Sequence, residues 1–334
     1  EALEVFPADI PARRALAAEL QKEQKWQELC DLLQIEAEIH EDPRRRAAVI
    51  LQQAEITEQK LANPSAAIEL YELAHRLQGG RSPAFRALDR LYTAREDWEK
   101  LYEVFNREEK NSSDDARRIV ILKKKARLLE ERLLRLDEAV HVTEDLLELV
   151  PDDRQILMDL SRLYERLGRW AELVENLEKE AALSNEEAER CSLLCQAGAV
   201  LEDRLDHDSG ALMRYEKVLE IEEGYLEALS RLGRLHHRKG RWEQLVTVYR
   251  KAQRTAQTKS DSADLLFRIG QIQETKLADV RGATKSYEEA LDHDPIHIPA
   301  QDALGDLQRR SSRWEDFLNL LERQMTHADP KRVS

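Results

Sequence analysis

Apolar residues in the stretch LLFRIGQIQETKLADVRGATKSYEEALDHDP, residues 265–295, recur at intervals of three and four from Leu266 to Ile272. That spacing places them on one stripe of an amphipathic helix. The segment LADVRG interrupts the stripe. A second stripe runs through ATKSYEEALDH and stops at Pro295, because proline cannot continue the helical ladder. Together they predict a hairpin of two helices.

The same positions return every 72 residues along the chain. Trp26, Trp98, Trp170, Trp242 and Trp314 show the period most plainly. Small residues stand at Ala54, Ala126, Gly198 and Gly270, where they let the second helix of a hairpin approach closely. Ala67, Ala139, Ala211 and Ala283 face back from that second helix. Tyr71, Tyr215 and Tyr287 are placed to fill the gap between hairpins, with Thr143 the exception. Pro7, Pro151 and Pro295 end the unit, and Gly79 and Glu223 stand at the remaining ends. A second kind of hairpin alternates with the first. It carries Leu16, Leu88, Leu160, Leu232 and Leu304, followed by Ala17, Ser161, Gly233 and Gly305, with Asp89 the departure. Gly168 and Gly240 make its turn, and the tryptophan opens its second helix. A fixed period of this length is the mark of a repeat architecture. The pattern predicts an all-α protein, about eighteen helices in about nine hairpins, forming one right-handed α-α superhelix over residues 1–334. Trp98, Trp170 and Trp242 are expected to be largely buried as packing wedges, and Trp314 less so.

Composition narrows the function more than the fold. The chain is 35% charged, 5% aromatic and carries a net charge of −14. A field of that sign opposes non-specific binding to nucleic acid or to an anionic membrane. The short basic runs at 44–46 and 123–125 are interleaved with acids and read as solvated helix faces. No apolar run reaches the ~18 residues that span a bilayer. Cys30 occupies a core register. Cys191 and Cys195 lie four apart on one helix with nearly parallel Cβ vectors, which disfavours a disulfide between them. All three read as packing thiols, and cysteine usage favours a reducing compartment, which sets a cytoplasmic place ahead of a periplasmic one without fixing it.

The pattern resembles the tetratricopeptide repeat family. The resemblance rests on Gly198, Ala211 and Tyr215, and on the set Gly270, Ala283, Tyr287, Ala290 and Pro295, with one residue inserted in the hairpin turn. Tyr92 and Tyr164 fit the corresponding place in the alternate hairpins. These hairpins depart from the family in carrying Leu where it has a second-helix Ala, and in the place of their Trp. The resemblance covers essentially the whole chain. It implies a helical solenoid whose groove holds a protein or peptide partner. The regular Arg- and Leu-rich copies also resemble large bacterial repeat arrays of envelope, secretion or motility assemblies.

The first residues align with EALDHDP at 289–295, and the last look like the start of a further first helix. The chain is therefore expected to be a piece of a longer array. No phosphate loop, nucleophile elbow or zinc spacing appears. No enzyme activity, cofactor or metal is expected. The leading expectation is a non-enzymatic interaction scaffold. The rivals are a docking arm of a larger enzyme and an RNA-binding helical repeat, the second opposed by the net charge. Mapping the family's groove positions onto this chain gives a basic set, Arg90, Arg162, Arg166, Arg234, Arg238 and Arg310, alternating with acids such as Glu58, Glu130, Glu202 and Glu274. Two outcomes are open. Adjacent ribs pair with each other, which is the simpler expectation, or Arg90, Arg162 and Arg234 grip carboxylates of a partner.

Overall fold

A computed structural model describes residues 10–78 and 83–328, with side chains from 11 to 322. The readings at Pro7, Gly79 and the two chain ends lie outside the described residues. Among those residues there are eighteen helices and no strand. They fall into two compact units divided after Leu163. The first holds α1 (Ile10–Lys22), α2 (Trp26–Ile39), α3 (Pro43–Gln59), α4 (Pro64–Gln78), α5 (Pro83–Arg95), α6 (Trp98–Asn111), α7 (Asp115–Leu128, running on into a π-helical turn, Leu129–Leu133) and α8 (Leu136–Leu149). The division falls within α9 (Arg154–Leu167). The second unit holds α10 (Trp170–Leu183), α11 (Glu187–Asp203), α12 (Asp208–Ile221), α13 (Leu226–Arg238), α14 (Trp242–Arg254), α15 (Lys259–Thr275), α16 (Val280–His293), α17 (Ile298–Arg310) and α18 (Trp314–Ala328). Each of the five tryptophans is the first residue of its helix, as the period predicts.

The turn before every tryptophan bends through one residue of left-handed φ. These are Gln24, Glu96, Gly168, Gly240 and Ser312, with φ between 54° and 68°. The hydrogen bonds explain why. The Asp97 amide donates to the Tyr92 carbonyl at 3.0 Å, and the Glu96 amide to the Thr93 carbonyl at 3.2 Å. That pair of bonds closes a helix only if the residue between turns left-handed. The other hairpins do the same at Ala62, Leu134, Asp206 and Ala278. Only Gly168 and Gly240 are glycines, although a left-handed residue with a Cβ costs roughly 1–2 kcal/mol. Packing of the hairpins holds the remaining seven in place.

Within hairpins, the small register is set by a tyrosine ring. A Cβ on Gly198 would stand 2.6 Å from Cε1 of Tyr215, so only glycine lets α11 and α12 close to this distance. The ring is then anchored at its far end. The hydroxyls of Tyr71, Tyr215 and Tyr287 donate to Glu58, Glu202 and Glu274 at 2.9, 3.0 and 3.0 Å. Thr143 instead donates to the Ala139 carbonyl at 2.7 Å within its own helix. Ala67, Ala139, Ala211 and Ala283 are fully buried behind these rings. Cys30, Cys191 and Cys195 are free and buried, and burial pushes the Cys195 thiol up to about 12. They fill space.

Trp98, Trp170 and Trp242 are less buried than expected, while Trp314 is the more exposed one, as expected. Trp26, Trp98, Trp170 and Trp242 are half-buried, and Trp314 is 58% exposed. One ring face is kept for a cation. Lys60, Arg132, Arg204 and Lys276 lie over these four rings at 5.3, 5.0, 4.8 and 5.1 Å from the centroids. Each cation follows its tryptophan by 34 residues and sits at the C-terminal end of the next hairpin's first helix. There it also meets the negative end of the helix dipole. The indole thus joins one hairpin to the next.

Two outcomes follow. Replacing Leu134, which is 68% exposed, with glycine should raise stability by about 0.5–1 kcal/mol, because left-handed strain is relieved and no buried side chain is lost. A urea midpoint that stays put or falls would contradict this. Arg204→Ala should lower stability by about 1 kcal/mol through loss of the cation over Trp170. An unchanged midpoint would show that the contact carries no weight.

Candidate partner-binding site

The six predicted arginines separate into groups. Arg90 pairs with Glu58, Arg162 with Glu130 at 2.9 Å, and Arg310 lies 3.5 Å from Glu274. Arg238 binds Asp208 and lies 3.8 Å from Glu202. These four hold acids of adjacent hairpins. Arg166 is exposed at the end of α9. Arg234 is exposed on α13 and has no ion-pair partner among the described residues.

The reason Arg234 differs lies three residues earlier. By the 72-residue register, the pairs Arg90–Glu58 and Arg162–Glu130 correspond to Arg234 and Glu202. Glu202 is already engaged. It accepts the Tyr215 hydroxyl, and Arg231 Nη1 lies 3.5 Å from its Oε2. Arg231 also reaches Asp203 at 2.8 Å. It stands where other copies carry Ala87, Asp159 and Ala303, so this hairpin has an additional cation next to the shared acid.

Two further departures fall at the same junction. In the first unit Lys124 pairs with Asp89 and lies over the Phe85 ring at 5.9 Å. Two periods on, the same positions are Arg268 and Gly233, and Arg268 has no ion-pair partner among the described residues. Ten residues after each tryptophan come Glu36, Glu108, Glu180 and then Ala252. Glu108 is fully buried and takes an ion pair from Arg117, and Glu180 is buried beside Asn176. Ala252 has no such group. The position of Arg117 becomes Asp261, whose carboxylate accepts the Thr258 hydroxyl at 2.7 Å at the start of α15.

The outcome is a cleft of about 630 Å³ framed by α13, α14 and α15. Leu226, Leu229, Tyr249 and Leu265 give it apolar walls, and Arg234 and Arg268 bring two guanidiniums to it. A pocket beside α5, α6 and α7 that overlaps the corresponding register at Asp89, Thr93, Phe105 and Lys124 measures about 300 Å³. There Lys123 and Lys124 are held by Asp153 and Asp89. A volume of 630 Å³ lies in the range of ligand sites, and apolar walls with a few polar groups are their usual build. Sequence reading found Arg234 but missed Arg231, Arg268 and Ala252. The signal was a break in register at 231 and 252, which a search for shared positions passes over. No cluster of three or more His, Cys, Asp or Glu side chains fit for a metal occurs among the described residues, and no helix is long and apolar enough to cross a membrane.

The occupied version of this junction has its own electrostatics. His75 is 1% exposed and its Nδ1 lies 3.6 Å from Glu108 Oε2. Burial, helped by the charges of Arg107 and Arg117, lowers the His75 pKa to about 4. Between about 4 and 6.5 the unfolded chain therefore binds a proton that the folded one refuses, so the His75 contribution to stability falls as pH drops through that window. His75→Leu should lessen the loss of melting temperature between pH 6.5 and 4 relative to the parent protein. Parallel melting curves for the two proteins across that range would contradict it.

Residues 228–263 match the family model described as tetratricopeptide repeat. Among solved structures, YrrB, described as a TPR protein with an unusual peptide-binding site, is similar over 55% of this chain and 91% of its own, at 20% identity and a TM-score of 0.33. The TPR domain of P58(IPK) is similar over 97% of this chain and 94% of its own, at 12% identity and a TM-score of 0.28. A tetratricopeptide repeat protein from Parabacteroides merdae is similar over 79% of this chain and 98% of its own, at 14% identity and a TM-score of 0.33. No curated protein matches the chain.

Proposed function

Because the chain is an array of tetratricopeptide-type helix hairpins, we propose that it is a non-enzymatic scaffold that holds a protein or peptide partner at the cleft framed by α13, α14 and α15. Hairpins of this family suit protein and peptide partners, since stacked helices present long side-chain surfaces. One observation carries the choice of place. At this junction the repeat leaves its own packing incomplete and two arginines unpaired, whereas Arg90, Arg162, Arg238 and Arg310 hold acids of the chain itself. The charge of −14 favours a protein over RNA as the partner.

The test is site-specific photo-crosslinking from Ser230, an exposed residue of the cleft wall, in extract of the source cell. The expected result is a discrete protein adduct that is lost when Arg234 is reversed to Glu. No adduct, or an adduct that ignores the reversal, would overturn the assignment of the scaffold's contact to this cleft.

A further inference from the structure

The three departures at the cleft have a common chemical sense. Relative to the junction of α5, α6 and α7, this one lacks two carboxylates and has Asp261 in place of Arg117, the cation that pairs with Glu108. Asp89 has become Gly233, and the buried Glu108 has become Ala252. The cation once neutralised by Asp89 is retained, since Lys124 is replaced by Arg268. A second cation, Arg234, is set free because Arg231 and Arg238 flank Glu202. The site therefore has space where Glu36, Glu108 and Glu180 stand in other copies, and two guanidiniums without an ion-pair partner among the described residues.

We infer that the cleft takes a segment of a partner protein in which a carboxylate side chain adjoins a bulky apolar one, the partner supplying an acid to Arg234 and Arg268. This rests on the scaffold reading above. The carboxylate is held by Arg268 and Arg234, whose planar guanidiniums can each offer two donors to a carboxylate. The apolar side chain lies against Leu226, Leu229, Leu265 and the Tyr249 ring. A volume of about 630 Å³ accommodates more than one side chain, so the acid and the apolar group enter together. Asp261, held at the start of α15 by Thr258, lies on the lining and repels an acid placed on its side, which gives the bound segment a direction. The rest of the protein's negative field disfavours long acidic tracts, so a single acid beside an apolar residue fits better than a run of acids.

The experiment uses a phage-displayed library of random dodecapeptides, selected on the full chain and on three variants. Gly233→Asp places beside Arg268 the acid that Asp89 offers to Lys124. The site tolerates it, because a Cβ there meets Tyr249 Cε1 at 3.4 Å and Leu245 Cδ1 at 3.8 Å, ordinary contacts. Ala252→Gln refills the space with a side chain of the length the other copies carry. Arg268→Glu reverses the charge. Thermal melting confirms that each variant is folded. Peptides selected on the parent protein are expected to carry Asp or Glu next to Phe, Trp, Leu or Ile. They should bind Gly233→Asp and Arg268→Glu at least about tenfold more weakly, as loss of a charged contact implies. Peptides that bind the parent and Gly233→Asp alike, or that depend on the cleft but lack an acid, overturn this inference and leave the scaffold reading standing. A library that yields no peptide above background on any face counts against both.

Discussion

A pair of helices about thirteen to seventeen residues long cannot bury both of its apolar faces, so this protein depends on the contact between one hairpin and the next. Two devices make that contact. Inside a hairpin, a glycine or alanine lets a tyrosine ring lie directly on the facing helix, and a glutamate anchors its hydroxyl. Between hairpins, an indole packs with one face and takes a Lys or Arg from the following hairpin on the other. Half-burial of the tryptophans is the result of this double use. A fully buried indole would have no face left for the cation.

Charge is organised by the same period. At 35% charged residues a stack of helices could bind many things weakly. Instead, basic residues of one hairpin meet acids of an adjacent one, at Arg90–Glu58, Arg162–Glu130 and Arg310–Glu274. Exposed pairs of this kind add little to stability. Their larger consequence is that Arg90, Arg162 and Arg310 of the groove set are held by the chain's own acids. Where the register changes, at Arg231 and Ala252, Arg234 has no ion-pair partner among the described residues and borders a cleft. In the proposed reading, binding is located at this local departure from the repeat.

Helix number, the alternation of two hairpin types and the tryptophan at the start of each second helix were legible in the sequence, because apolar spacing and small residues recur without interruption. The left-handed turns were legible only at Gly168 and Gly240. At Gln24, Glu96 and Leu134 an ordinary residue accepts strain that the packing imposes, and no local signal announces it. The cations over the indoles were hidden for another reason. Lys and Arg alternate at one register, Lys60, Arg132, Arg204 and Lys276, among many other surface charges, and nothing in a charge pattern says which of them folds back onto a ring. Arg234 was placed in the candidate site along with five others. Its distinction arises from a competitor, Arg231, in contact with Glu202, and that is a property of three-dimensional proximity.

The account turns on the claim that Arg162 is held within the repeat and Arg234 is not. Paired double-mutant cycles measure this directly, one on Arg162 and Glu130, the other on Arg234 and Glu202, each residue replaced by Ala and stability read from urea unfolding. The account predicts a favourable coupling of a few tenths of a kcal/mol for the first pair and none for the second. Equal coupling in both cycles would mean that Arg234 is held by Glu202 in solution, and the cleft would then lack one of the two free cations on which the proposed function rests.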